Sequence, residues 1–255
     1  MDVDPSSFYN SMAEYQHLIF KDWESSLEWQ ASVFGRLLEG GDSARKLRIL
    51  DCACGIGTQS LGLARRGHTV FATDLSAEAV ARARREASQR GLLLNVDVAN
   101  MCDLSTIAES GFDVVLAADN ALPHLDENEL PQAARSIAAK LAPGGRFVAS
   151  IRDYDQAVVD HPSIQAPAFM MDGNRRRIVH QVWDWIDDRR YAFHLYITRE
   201  TDAGWECQHH ISTYRALLRA ELTGILSDAG FRDIRWLMPE ESGFYQPIVI
   251  ATRGA

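Results

Sequence analysis

Residues Ile49–Gly57 read Ile-Leu-Asp-Cys-Ala-Cys-Gly-Ile-Gly, and this run constrains the fold of the chain more than any other. Leu47, Ile49 and Leu50 form a short apolar stretch that ends in the acid Asp51. Gly55 and Gly57 follow, and then a helical pattern from Thr58 to Arg66. The spacing predicts a strand, a tight turn and a helix N-terminus. Glycine lacks Cβ, so such a turn can take unusual φ and press its backbone against a ligand. The free N–H groups opening the helix favour a negative or carboxylate-bearing ligand. A second acid, Asp74, ends the next predicted strand, His68–Asp74. An acid there can take both hydroxyls of a ribose, as in nucleotide-binding βαβ units. A dinucleotide fold would favour another glycine three residues past Gly57, where this chain has Ser60.

The alternation continues beyond this unit. Ser76 caps a predicted helix over Ala77–Gln89, followed by strands at Leu92–Val98 and Phe112–Ala117. A helix over Glu127–Leu141 stops at Pro143-Gly144-Gly145, and Arg146–Ile151 is the fifth strand. Strands alternating with helices of this length imply a parallel sheet covered on both faces. Upstream, Phe8–Leu38 reads as one helix ended by Gly40–Gly41. Downstream the period changes. Arg177–Ile186, Arg190–Thr198 and Glu206–Thr213 alternate polar and apolar residues, which predicts an antiparallel meander inserted after strand five. A helix over Arg215–Ala229 and a closing strand pair, Phe231–Met238 and Gln246–Thr252, complete the chain.

The net charge of −9 argues against nucleic acid as the main partner, because phosphate binding needs a concentrated basic face. Cys52 and Cys54 could be read as a Cys-x-Cys metal site, but no further cluster has zinc-like spacing. They are taken as small buried residues, and no metal is expected. Free cysteines without a disulfide framework suit a reducing cytoplasm. Neither a signal peptide nor a run long enough to span a membrane is apparent.

The strand ends Asp-Cys-Ala-Cys-Gly-Ile-Gly and Asp74 resemble those of class I S-adenosylmethionine-dependent methyltransferases. Two further segments are similar to a narrower group, the glycine and sarcosine N-methyltransferases and related bacterial small-molecule enzymes. These are Ala-Ala-Asp-Asn-Ala-Leu-Pro-His-Leu at 117–125 and Ser-Ile-Arg-Asp-Tyr-Asp at 150–155. The resemblance implies an α/β, Rossmann-like class I sheet, parallel with an antiparallel closing strand. Residues 1–44 would form an N-terminal helical lid, and 45–255 the methyltransferase domain with a β insert at about 175–214.

It also implies site residues. S-adenosyl-L-methionine would meet Ala53, Gly55 and Gly57 with its methionine part, Asp74 with its ribose, and Leu75 and Met101 with its adenine. Asn100 stands where relatives often have an acid facing the adenine amine, and Asp119 would take the methionyl amine. Tyr15, His17 and Trp23 of the aromatic N-terminal segment would approach cofactor and substrate. Asn120, His124 and Arg152 would face the substrate, Arg152 holding a carboxylate in its planar fork unless Asp153 or Asp155 neutralises it. Tyr196 of the aromatic insert would extend the pocket wall.

Methyl transfer to a neutral amine needs no strong base, whereas a phenol or enol carbon would want one, and His124 or His17 could serve. The expected acceptor is the amine of an amino acid or related metabolite. The alternatives are an O- or C-methyltransferase of a secondary-metabolite pathway and a cofactor-binding module without catalysis. The partner would be a small molecule, with homo-oligomers possible and neither nucleic acid nor membrane involved.

Overall fold

A computed structural model describes residues 5–40, 42 and 44–254. Gly41, half of the expected helix stop, lies outside the described residues. The N-terminal segment is not one helix. It comprises α1 (Pro5–Met12), a 3-10 turn at Gln16–Ile19 and α2 (Trp23–Glu39). Asp22 restarts the helix: its carboxylate accepts from the Ser25 N–H at 2.8 Å, a standard N-cap. Gly40, at φ 63°, ends it.

The alternating units then follow as β1 (Arg48–Asp51), α3 (Thr58–Arg65), β2 (Thr69–Asp74), α4 (Ala77–Gln89), β3 (Asn95–Val98) and β4 (Phe112–Ala117). After them come α5 (Glu129–Lys140), β5 (Leu141–Ser150) and α6 (Tyr154–Asp160). The Ser76 hydroxyl caps α4 by accepting from the Ala79 N–H. The insert is wider than the alternation pattern suggested, with four strands rather than three: β6 (Ile164–Asp172), β7 (Arg175–Trp185), β8 (Arg190–Thr201) and β9 (Gly204–Arg215). Pro167 and the unbroken apolar run Ala168–Met171 leave β6 without a clean period-two pattern, which hid it. The chain ends with α7 (Arg219–Asp228), β10 (Phe231–Leu237), α8 (Pro239–Ser242) and β11 (Ile248–Arg253).

Seven strands form one sheet in the order β10-β11-β5-β4-β1-β2-β3. The run from β5 to β3 is parallel, and β11 is antiparallel to both neighbours. The interior residues of β1 and β4 (Ile49, Leu50, Val114, Val115, Leu116) are fully buried, as expected of a sheet covered on both faces. The strand order reverses between β1 and β4, so a crevice opens beyond their carboxyl ends. The insert strands form a separate antiparallel sheet, β6-β7-β8-β9. Its inner face, including Trp183, Tyr191, Phe193 and Tyr214, joins the main core with Phe8 of α1 and Ile151 after β5. That packing lays the insert over the crevice.

Candidate active site

The crevice holds a cavity of about 330 Å³. Its floor is the loop after β1. Gly55 lies at φ 52°, and a Cβ built there would come within 3.1 Å of the Gln16 amide. The Gly55 N–H donates to Asp74 Oδ2 at 2.8 Å, and the Ser76 N–H donates to Asp74 Oδ1 at 2.9 Å. The carboxylate at the end of β2 is thus aimed by two backbone donors. Each of its oxygens keeps a lone pair. Burial raises the Asp74 pKa, and those two hydrogen bonds counter the shift. Asp51, behind it, accepts from the Ser60 hydroxyl at 2.6 Å, and burial pushes it up to about 7.

The end of β4 forms the opposite wall. Asp119 and Asn120 both take positive φ, 61° and 68°. Two successive non-glycine residues in this region store strain, a mark of functional corners. The Asp119 N–H donates to Ser150 Oγ, and Asp119 Oδ1 accepts from the Tyr245 hydroxyl at 2.6 Å and from the Gln246 amide at 3.3 Å. Asp119 Oδ2 has no partner among the described residues. His124 closes this side, its Nε2 2.9 Å from the Tyr9 hydroxyl and its ring 4.1 Å from that of Tyr214. Burial and then the positive charge of Arg152 push the His124 pKa down to about 3. The imidazole is therefore neutral at any physiological pH.

Ala53, Gly55, Asp74, Leu75, Asn100, Met101, Asp119 and His124 all line the cavity, as the sequence suggested. Asn100 is already partly engaged, because its Oδ1 accepts from the Cys102 N–H at 2.9 Å. Seven expected residues lie elsewhere, Asn120 and Arg152 behind the wall and five others farther off. Gly57, at φ 94°, sits under α3 as its N-cap, where a Cβ would meet Leu61 rather than a ligand. Trp23 is set outside the cavity, its indole N–H donating to Thr58 Oγ1 and its ring facing Arg82 and Arg90. Tyr15 packs beneath the Arg199 guanidinium, beside His210. His17 lies beside Trp23, and burial, with Arg82 and Arg177 next in effect, lowers its pKa. Tyr196 is on the outer face of the insert, stacked between His180 and His209.

Tyr9 and Gln16 occupy the places expected of Tyr15 and His17. Reading the segment as one regular helix misplaces them, because α1 ends at Met12 and the chain turns before Gln16. Thr58 and Gln59, at the start of α3, also line the cavity, and helix N-termini after glycine turns were the available signal.

Asn120 is buried behind the wall as a brace. Its Oδ1 accepts from the Arg152 N–H, and its Nδ2 donates to the Tyr154 hydroxyl, each at 3.0 Å. Arg152 itself does not line the cavity but lies just beyond His124. Its guanidinium donates to the Tyr191 hydroxyl at 2.9 Å and stands 5.0 Å from the ring centroids of Trp183, Phe193 and Tyr214. The neighbouring acids are taken. Asp153 and Asp155 both pair with Arg219, so Arg152 forms no salt bridge among the described residues. A cation boxed by aromatic faces and phenols is partly stabilised yet still seeks an anion. Among the described residues, no group of three or more His, Cys, Asp and Glu side chains could hold a metal ion. His209 and His210 indeed point to opposite faces of β9, His210 meeting Ser11 of α1.

Residues 49–145 match the methyltransferase domain family. The match runs from β1 into the start of β5. The methyltransferase segment contains the whole cavity floor and the Asp119–His124 wall, while Arg152 and the insert lie outside it. Over 140 residues the chain is 31% identical to glycine N-methyltransferase of Mus musculus, covering 50% of this chain and 46% of that protein. Over 136 residues it is 32% identical to glycine/sarcosine N-methyltransferase of Parasynechococcus marenigrum, covering 53% and 47%. The chain thus spans about half the length of the curated relatives it matches. The fold extends further than the sequence likeness. Streptomyces venezuelae DesVI superposes over 100% of both chains with a TM-score of 0.74 at 19% identity. The sugar N-methyltransferase KedS8, from a Streptoalloteichus species, covers 95% of this chain and 92% of its own at a TM-score of 0.73 and 20% identity.

Proposed function

We propose that this chain transfers the methyl group of S-adenosyl-L-methionine to the amine of a small carboxylate-bearing metabolite, such as an amino acid. The observation that carries the acceptor class is Arg152, a boxed guanidinium without an acidic partner, buried just beyond the His124 wall of the cavity. The cofactor reading rests on the fit of the cavity. Asp74 offers two aimed oxygens for vicinal hydroxyls, and Leu75 and Met101 offer apolar surface for a base. Asp119 offers a free oxygen for an ammonium group. When bound, S-adenosylmethionine supplies an electrophilic sulfonium methyl, and the remaining work is alignment and exclusion of water.

The residues of this chain account for that work. Arg152 holds the carboxylate in a bidentate fork and so fixes where the amine sits. Burial, and then the positive charge of Arg152, disfavour a second cation nearby, the same two effects that depress the His124 pKa. An ammonium group entering the same space sheds its proton more readily and becomes a nucleophile. His124, neutral and tied to Tyr9, acts as a hydrogen-bonding guide. A pKa of about 3 makes it a poor general base, which argues against an O- or C-acceptor.

Titration calorimetry with S-adenosylmethionine and with its demethylated product, followed by a methyl-release assay on amino acids and their decarboxylated amines, tests the proposal. Micromolar cofactor binding and a clear preference for the carboxylates are expected. Binding of a nicotinamide dinucleotide instead, or equal turnover of the decarboxylated amines, would refute it.

A further inference from the structure

Three carboxylates line the cavity, Asp74, Asp119 and Glu129, and the proposed reaction uses only the first two. Glu129 stands half-buried in the first turn of α5, beside the loop that follows β3. Cys102 of that loop ties Glu129 to Asn100. Its N–H donates to Asn100 Oδ1 at 2.9 Å, and its thiol to the Glu129 carbonyl at 3.6 Å. The side chain is close as well as the backbone: burial, and then the Glu129 charge, push the Cys102 thiol up to about 11. Asn100, Met101 and Glu129 therefore share one end of the cavity.

The Glu129 carboxylate is half committed. The Asp126 N–H donates to Glu129 Oε2 at 3.0 Å, and the Glu129 N–H returns a bond to Asp126 Oδ1 at 2.8 Å. This reciprocal pair has the form of a capping box, and it anchors one carboxylate oxygen. The other, Oε1, has no hydrogen-bond partner among the described residues, and Glu129 joins no salt bridge among them. An ionised acceptor at the wall of a binding cavity calls for a donor on the ligand.

We propose that Glu129 accepts from the exocyclic amine of the cofactor's adenine and so makes the cavity select an amino-substituted base. This rests on the S-adenosylmethionine reading given above. The amine carries two hydrogens. Asn100 Oδ1 already takes the Cys102 N–H, so its remaining lone pair can serve one of them. Glu129 Oε1 serves the other, with a charge that Asn100 lacks. The end of β3 and the first turn of α5 thus divide a task that an acid at position 100 could hold alone. A base with a carbonyl in place of the amine would set oxygen against carboxylate. A site built to take a ligand donor rejects such a mismatch far more strongly than it rejects a change of apolar size.

Titration calorimetry with S-adenosylhomocysteine and S-inosylhomocysteine, whose bases carry an amine and a carbonyl at that position, tests this. The wild-type chain should bind the adenosine compound about 10–100-fold more tightly. Glu129→Gln is the discriminating variant. The Asp126 N–H requires an oxygen, so the capping box survives and the amide nitrogen takes the place of Oε1. An acceptor becomes a donor there. Affinity for the adenosine compound should fall about tenfold, and affinity for the inosine compound should rise. The preference should then narrow to about threefold or reverse, with the melting temperature unchanged. Equal binding of the two compounds by the wild-type chain overturns the proposal without recourse to a variant. So does a Glu129→Gln protein that keeps the wild-type preference, which assigns the discrimination to Asn100. Failure of both compounds to bind the wild-type chain overturns the cofactor reading itself, and this inference with it.

Discussion

The seven-stranded sheet borders the cavity directly, whereas the insert sheet stands behind its His124 wall, and the two contribute to the site differently. The large sheet supplies its edges. Gly55, Asp74 and Asp119 all lie at or just past strand ends, and much of their role falls to backbone groups: the Gly55 and Ser76 N–H groups that aim Asp74, and the Asp119 N–H on Ser150. The insert supplies strand interiors. Trp183, Tyr191, Phe193 and Tyr214 reach Arg152 with side chains alone. Backbone geometry cannot change without refolding the loop, whereas side chains on one face of a sheet can be exchanged singly. With the proposed reaction, the contrast gives the cofactor contacts to the first sheet and the choice of acceptor to the second.

Substitutions can break this division, and the largest effect should come at the cofactor end. Asp74→Ala removes two aimed acceptors, and at about 1–3 kcal/mol for a charged partner the Kd for S-adenosylmethionine should rise about 10–100-fold by calorimetry. The division fails if that substitution leaves cofactor affinity intact and alters only acceptor preference. Arg152→Lys is the mirror experiment. One ammonium cannot reproduce the fork, so KM for a carboxylate acceptor should rise about tenfold with cofactor Kd unchanged.

His124→Ala should raise KM several-fold with little loss of kcat. The pH dependence sharpens this. The unfolded chain takes up a proton at this residue below about pH 6.5, and the folded chain refuses it until about pH 3, so the residue costs stability increasingly as pH falls through that window. His124→Gln should therefore flatten the acid side of the Tm–pH curve, and the wild-type rate should show no imidazole inflection between pH 6 and 7. A kcat collapse in His124→Ala would instead mark a base and an O- or C-acceptor. The smallest effect belongs to the outer face: Tyr196→Ala should leave kcat/KM within about twofold in steady-state assays, because the ring never meets the site.

The same contrast explains what the sequence discloses. Glycines and acids at strand ends are local signals, and Gly55, Asp74 and Asp119 can be found from them because the strand–turn–helix geometry is set within about ten residues. The acceptor side depends on parity. Tyr196 and Phe193 are both aromatic residues of β8, but three positions apart they face opposite sides, and a one-residue uncertainty in register exchanges inside for outside. Tyr15 and Tyr9 pose the helical form of this problem, since α1 ends at Met12 and the turn after it takes Tyr15 out of the helical phase of Tyr9. That Arg152 lacks an acid was beyond reach of the sequence, because Asp153 and Asp155 are its neighbours in the chain and only the fold commits them to Arg219.

The strap formed by α1 has a kinetic consequence. Tyr9 and Gln16 belong to the cavity wall, and the segment is pinned by a few polar links, among them Asn10 to Ser76 and Ser11 to His210. A ligand of nucleoside size exchanges only when these links let go. Turnover then contains an opening event whose speed depends on friction with the solvent rather than on bond making, and kcat should fall as glycerol thickens the buffer while the size of a methyl isotope effect shrinks.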